Sequence, residues 1–312
     1  MESYNNFIGI DIGKFNFFVA IHGKKSVKEY ENTSDGIDQF LSDFHEELPG
    51  ALCILEPTGG YEMRLLLALC DKGFAVHRAH TRKVKNFIRS FGSEAKTDQL
   101  DARNLSLYGH ERSGSLELFK PQCKEAMNLY ELIQRRRDLT QMLVAEKNRM
   151  KSPRAEFIQN SIKTLIEVLL EEIRIISDEV EMLIRKDAAL KEKKKILKTI
   201  PGIGDIIANE LLATLPELGQ ISRREIASLT GLAPIPKDSG RLKGYRRTGH
   251  GRSGIKRILF LAAMAARNSK SHLRTYFEAL LARGKSKMVA LTALMRKIIV
   301  IANARLKNMA TT

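Results

Sequence analysis

Apolar and polar positions alternate in three different ways along this chain. In the first third, short apolar runs alternate with amphipathic stretches. FIGIDIG (7–13) reads as a strand, FNFFVAIHG (15–23) as its hairpin partner and VKEYEN (27–32) as a third strand. SDGIDQFLSDFHEEL (34–48) opens at a cap-like Ser34 and sets Ile37, Phe40, Leu41 and Phe44 at helical spacing. ALCILE (51–56) predicts a short buried strand, YEMRLLLALCDKG (61–73) a helix closed by Gly73, FAVHRA (74–79) a fifth strand, and residues 93–112 a helix. Three strands, helix, strand, helix, strand, helix is an α/β layout.

From about Gln122 to Lys195 glycine almost disappears, and Pro153 interrupts a long helical pattern. Ile162, Leu165, Leu169, Ile173, Ile176, Val180 and Leu183 step by three or four, close to a heptad seam. Two long helices joined near Ser152-Pro153 would make either an antiparallel hairpin or a dimerising coiled coil. The last third begins with ILKTIPGIGDIIANELLATL (196–215), a PGIG turn between two short helical patterns. It is similar to a helix-hairpin-helix, in which Gly202 and Gly204 let backbone N–H groups approach a phosphate. A plain helix–turn–helix connection fits the same pattern. The expected boundaries are 1–115, 116–195 and 196–312.

The chain has 312 residues, with 52 Lys+Arg against 36 Asp+Glu, a net charge of +16 and a pI near 9.8. That imbalance points to a polyanionic partner, nucleic acid above all. No apolar run reaches the roughly 18 residues of a membrane span, and MESYNNFIGID lacks the basic and apolar regions of a signal peptide. A cytoplasmic protein without a membrane partner is expected. Cys53, Cys70 and Cys123 show no CxxC spacing, so neither a zinc site nor a disulfide framework is implied. Residues 241–257 hold Arg241, Lys243, Arg246, Arg247, Arg252, Lys256 and Arg257, interspersed with glycines and without an acid. This reads as a loop moulded to a phosphate backbone, although a solvated face has the same composition.

Against that basic background, KTDQLDA (96–102) puts Asp98 and Asp101 on one face of one helical turn, where like charges repel. Either Lys96 and Arg103 neutralise them, or a metal ion does. Asp11 follows the strand FIGI, and Glu56 ends the strand CILE. In an RNase H-like sheet the first and fourth strands are neighbours and a later helix crosses them, so the four carboxylates converge. Oxygen donors of this kind suit hard divalent cations, and two such ions serve phosphoryl transfer. Mg²⁺ is the expected ion, with Mn²⁺ as a substitute, because no His or Cys accompanies the set.

IGIDIGK, LEPTGGY, KTDQLDA, IPGIG, and GLAP followed by DSG, taken in order, resemble the transposases of insertion sequence family 110, which are similar to the pilin-gene DNA invertases. The resemblance spans essentially the whole chain. It implies an N-terminal RuvC-like (RNase H-fold) DEDD domain, a coiled-coil middle and a mainly helical C-terminal serine domain. It also implies recombination of a donor and a target DNA duplex, guided by a structured non-coding bridge RNA, in the cytoplasm or nucleoid of a bacterium or archaeon. The nucleophile carries over to Ser239 in GLAPIPKDSG, with Asp238 where an uncharged residue is usual. Ser113-Gly114 and Ser253-Gly254 are decoys, Ser253 being read as phosphate-contacting or structural. The resemblance further implies dimers that pair into a tetramer on DNA, the serine of one protomer meeting the carboxylates of another. A RuvC-like junction nuclease, a site-specific invertase and a non-catalytic nucleic-acid scaffold are the competing readings.

Overall fold

The computed structural model describes residues 4–92, 97–121, 123–152, 156–236, 238–240, 244, 246–252 and 254–309. The chain forms two compact units, Met1–Gln122 and Cys123–Thr312.

In the first unit the apolar runs become one five-stranded sheet: β1 (Asn6–Ile12), β2 (Asn16–Ile21), β3 (Val27–Glu31), β4 (Ala51–Leu55) and β5 (Ala75–Arg78), in the order β3-β2-β1-β4-β5. β1, β2 and β3 form an antiparallel meander, and β4 and β5 run parallel to β1. Four helices cover the sheet: α1 (Ser34–Asp43), α2 (Met63–Asp71), α3 (Thr81–Ser90) and α4 (Asp98–Arg112). Strand alternation divides the core between the two faces. Ile8, Ile10, Cys53 and Leu55 pack with Phe40 of α1 and Leu65, Leu66 and Leu69 of α2. On the other face Leu52 and Ile54 pack with Val84 and Phe87 of α3 and Leu105 and Tyr108 of α4.

The strands lie within a residue or two of their sequence-predicted spans. The helices differ more. α1 is capped by Thr33, whose side chain accepts a hydrogen bond from Gly36 N, and it ends at Asp43, five residues before the predicted end. α3 was not anticipated, because TRKVKNFIRS is strongly basic and buries only Val84 and Phe87. α4 starts behind Thr97, whose Oγ1 accepts from Leu100 N at 3.2 Å.

In the second unit α5 (Lys124–Met150) and α6 (Gln159–Lys186) lie against one another. Leu129 and Ile133 meet Val180 and Ile184, while Leu139 and Leu143 meet Leu169. Early residues of α5 thus face late residues of α6, which makes the pair an antiparallel hairpin. Most of the predicted seam is therefore an internal stripe, but Leu165 faces solvent at 44% exposure. Pro153 lies outside the described residues. The remaining elements are α7 (Ala188–Lys198), α8 (Asp205–Thr214), α9 (Arg223–Leu229), β6 (Pro234–Ile235), β7 (Arg247–Thr248), α10 (Ile255–Ala266), α11 (His272–Ala282) and α12 (Lys287–Met309). Alanine- and isoleucine-rich faces of α8, α10 and α12 form the core here. Among the described residues no helix is long and apolar enough to cross a membrane.

One close approach sets the geometry of the first unit. A Cβ on Gly9 of β1 would lie 2.0 Å from Ala102 O and 2.3 Å from Ser106 N of α4. Farther along α4, a Cβ on Gly109 would lie 2.2 Å from the Ile54 Cδ1. Gly9→Ala meets rigid backbone, whereas Gly109→Ala meets the movable end of a side chain. We expect Gly9→Ala to cost about 3 kcal/mol and Gly109→Ala about 1 kcal/mol, read from the first unit's transition in urea. Equal costs would contradict the rigid contact at Gly9.

Candidate active site

The contacts of α4 fix where the acidic residues stand. Its residues 102–106 lie over Gly9, and Gly109 lies 3.6 Å from Phe7 when given a Cβ, so the helix runs antiparallel to β1. Two strand residues advance about 6.6 Å, as do four to five helical residues. One such step from Gly9 therefore brings Asp11 under residues 98–101, the first turn of α4. Asp11 shares a sheet face with Gly9, since side chains alternate. Ile10 is the register partner of Leu55, so Asp11 and Glu56 are next to each other where β1 and β4 end. Glu56 shares the α4 face with Ile54 by the same alternation. Three of the four predicted carboxylates, Asp11, Glu56 and Asp101, are half-buried, and Asp98 is exposed.

Charge confirms the proximity of two of them. Burial pushes the Glu56 carboxyl above its ordinary value, and the negative charge of Asp101 adds to that; a hydrogen bond from Thr81 and the charges of Lys85 and His80 oppose it. Asp98 and Asp101 also occupy the positive end of the α4 dipole, which favours acids by about 0.3–1 kcal/mol each. The alternative partner Arg103 donates to the Lys25 carbonyl, and Lys96 lies outside the described residues.

The donor set suits a hard divalent cation: the groups are all carboxylate, and at Glu56 the local field already disfavours further negative charge. Among the described residues, however, no three His, Cys, Asp or Glu side chains gather closely enough to form a metal-binding cluster. The backbone brings the carboxylates to one corner of the sheet without closing them around one point.

Sequence reasoning missed Glu62, which holds the PTGG loop beside Glu56. It is fully buried and accepts from Thr58 N at 3.0 Å and Gly60 N at 2.9 Å, while Arg78 Nη2 donates to its other oxygen. Gly59 and Gly60 have φ of +75° and +108°, conformations that let the loop curl over this carboxylate. Burial alone would raise the Glu62 carboxyl, but the hydrogen bonds from Thr58 and Arg78 hold it below the ordinary range. The local signal was present in TGGYE: a glutamate two residues beyond a glycine pair.

In the second unit, Pro234 pairs with Thr248 and Ile235 with Arg247. GLAPIPKDSG and the basic run therefore form a hairpin, with Ser239 exposed in its connection. Asp238 accepts from Gly244 N at 3.2 Å and pairs with Arg246 at 3.1 Å, so the acid beside Ser239 is neutralised from within the hairpin. Arg252 is occupied elsewhere: it donates to Thr214 O at 2.6 Å and forms a two-pronged pair with Glu217. Lys256 and Arg257 belong to the first turn of α10. Arg241, Lys243 and Ser253 lie outside the described residues. Gly254, with φ +81°, leaves room for Arg137 Nη1, which would be 2.6 Å from a Cβ there, so the RSG triplet contains a packing glycine. Ser113 opens a short 3-10 turn after α4, Ser113–Ser115.

The two PGIG glycines differ. Gly202, at φ +91°, passes so close to α10 that a Cβ would lie 2.2 Å from Ala262 O. Gly204 faces open space at the N-terminus of α8, where Asp205 already pairs with Lys194 and Lys198.

Comparison with known proteins gives two family matches. The DEDD transposase family of IS110, described as Transposase, matches residues 8–153, and the Transposase IS116/IS110/IS902 family matches residues 194–278. The pilin gene-inverting protein of Moraxella bovis is 25% identical over 309 residues, covering 96% of this chain and 94% of that protein. An uncharacterized 43.6 kDa protein of insertion element IS110 from Streptomyces coelicolor is 35% identical over 36% of this chain and 28% of its own length. An uncharacterized 42 kDa protein of IS900 from Mycobacterium paratuberculosis is 28% identical over 45% of this chain and 36% of its own length.

Glu62→Gln should cost about 2 kcal/mol, the worth of charge-assisted hydrogen bonds to a buried carboxylate. The Glu62 carboxyl is depressed on folding, so its contribution is complete above the unfolded value of 4.5 and disappears as pH falls through the folded value. Urea titrations at neutral pH and near pH 3 should therefore show the wild type converging on the variant in acid. A constant gap across pH would show that the carboxylate's charge is not what stabilises the loop.

Proposed function

This chain belongs to the IS110 family of transposases, and we propose that it recombines DNA through a phosphoserine intermediate under the guidance of a structured non-coding RNA. The observation that supports the catalytic part is the backbone placement of Asp11, Glu56 and Asp101 at one corner of the sheet, where β1 and β4 end near the first turn of α4. The strand order β3-β2-β1-β4-β5, with its antiparallel meander and parallel additions, supports an RNase H-like (RuvC-like) catalytic domain. Guidance by a bridge RNA rests on the family resemblance.

The family implies a divalent metal. Asp11, Glu56, Asp98 and Asp101 are the residues that would hold Mg²⁺, or Mn²⁺ in its place. When bound, the ion supplies Lewis-acid polarisation of a phosphoryl oxygen. Ser239 provides the nucleophile. Its Oγ forms a bond to phosphorus as its proton passes to a base, and the bond to the departing strand's oxygen breaks, that oxygen leaving as a hydroxyl once protonated. Attack by a strand-end hydroxyl of the other DNA reverses these bond changes and frees the serine. Asp238 and Arg246 hold the hairpin connection on either side of Ser239, while Arg247, Lys256 and Arg257 present positive charge to the strand. DNA inversion is a second outcome of the same chemistry, favoured by the nearly full-length similarity to the pilin gene-inverting protein. The setting is a bacterial or archaeal cytoplasm, on the nucleoid.

Self-association belongs to the same reading. Leu165, Val168, Ile175 and Met182 are exposed on α6, separated by steps of three and seven. A second copy of the chain is the proposed cover. Val168→Asp with Ile175→Asp should halve the assembled mass in light scattering while leaving the helical circular dichroism unchanged; unaltered assembly would place the contact elsewhere.

Ser239→Ala should abolish strand exchange and covalent protein–DNA adducts together, while DNA capture persists. Asp11→Asn or Asp101→Asn should reduce cleavage at least about 100-fold, a typical penalty for losing one preorganised charge-stabilising group. Mass spectrometry of peptides left on trapped DNA decides the nucleophile. Adducts from Ser239→Ala, or a nucleotide on Ser253, would refute Ser239. Metal-dependent cutting with no adduct would favour a junction nuclease that uses water. Wild-type cleavage in excess EDTA would refute the metal.

A further inference from the structure

A concave groove of about 870 Å³ in the second unit is lined by residues from α9, β6, β7, α11, the turn before α12 and α12 itself. Arg223, Arg246, Arg247, Lys285, Arg296 and Lys297 all line it, and no acidic residue does. Arg246 is partnered by Asp238. The other five have no carboxylate partner among the described residues. Six cations brought within one groove repel one another, so the arrangement calls for a polyanion. Lys297 Nζ sits 4.7 Å from the centroid of the Tyr276 ring, which holds the ammonium at the wall of the groove.

The groove is not polar throughout. Leu232, Met288, Val289 and Val300 contribute to its lining, and Met288 is 60% exposed. This pairing of chemistries discriminates between nucleic-acid forms. A duplex presents phosphates and groove edges, with its base faces stacked inside. An unpaired strand presents both phosphates and base faces, the latter suited to apolar side chains. The groove also adjoins the hairpin that carries Ser239, since Pro234, Arg246, Arg247 and Thr248 are shared between them.

We infer that this groove seats an unpaired stretch of nucleic-acid strand, its phosphates on the basic wall and its bases on the apolar floor, leading to the hairpin that carries Ser239. The inference rests on the reading of the chain as a nucleic-acid recombinase, but not on its metal or its nucleophile. Arg223, Lys285, Arg296 and Lys297 are the additions it makes to the basic run of the sequence. Arg223 and Arg296 come from α9 and α12, about 70 residues apart in sequence, a separation at which no local pattern connects them.

The test is fluorescence anisotropy in EDTA with the full chain, using labelled oligo(dT) and oligo(U) of about 12 nucleotides, within the range bound by single-strand grooves, and a blunt DNA duplex. Arg223→Ala with Arg296→Ala should weaken binding to one or both single strands about tenfold and reduce the salt slope by about 1.4, at roughly 0.7 per lost phosphate contact. Binding to the duplex should change less than twofold. Met288→Asp, at an exposed position, should weaken single-strand binding without lowering the thermal midpoint. Preference for oligo(dT) or for oligo(U) identifies whether DNA or RNA occupies the groove, and equal loss for both assigns it to backbone chemistry common to the two. Unchanged single-strand affinity in the double variant, or an equal loss for duplex, would overturn the inference. Ser239→Ala and Asp11→Asn should bind these probes like the wild type, so a failed catalytic assignment and a failed groove assignment give different results.

Discussion

The contact between α4 and β1 at Gly9 is the constraint on which the placement of the acidic residues rests. With hydrogen in place of a side chain, the backbone of α4 lies directly on the strand at Ala102 and Ser106. A larger residue would lift the helix and move its first turn, because Asp98 and Asp101 are less than two turns away. The same helix presses on Ile54 through Gly109, so its axis is located at two points along its length. Two contacts determine the direction of a helix as well as its height. Thr97 then decides where the helix starts, and with it the positions of Asp98 and Asp101 in its first turn.

A second constraint is electrostatic. The chain carries a large excess of positive charge, and several of its acids organise backbone or neutralise particular cations. Glu62 ties down the loop beside Glu56, Asp238 braces the Ser239 hairpin through Arg246, and Glu217 takes up Arg252. Lys194 joins Glu181 and Asp205 across three helices. Arg246 and Arg252, from a run free of acids in sequence, thus acquire acidic partners in space. The cations left over, among them Arg223, Lys285 and Arg296, share one groove. Where a basic residue is already paired, a phosphate must compete with an internal carboxylate; where it is not, the gain from binding is undiminished.

The sequence by itself determined the five strands, the acidic residues at the ends of two of them and the transposase family. All of these are local: strand periodicity, a terminal acid or a short motif is complete within a dozen residues. Only the tertiary structure decided what depends on partners far apart in the chain. α3 gains its stability from Val84 and Phe87 packing under α4, which its basic sequence does not disclose. The apolar steps of α6 fit self-association as well as they fit a hairpin, until Leu129, Ile133 and Leu139 of α5 occupy them. Gly202 and Gly204 look equivalent in PGIG, yet one is pressed against Ala262 while the other faces solvent. Arg296 and Arg223 carry no distinguishing motif either. Periodicity specifies which face of an element is buried, but the residue that covers that face, or shares a groove with it, is chosen by packing between segments whose separation in the chain no local pattern spans.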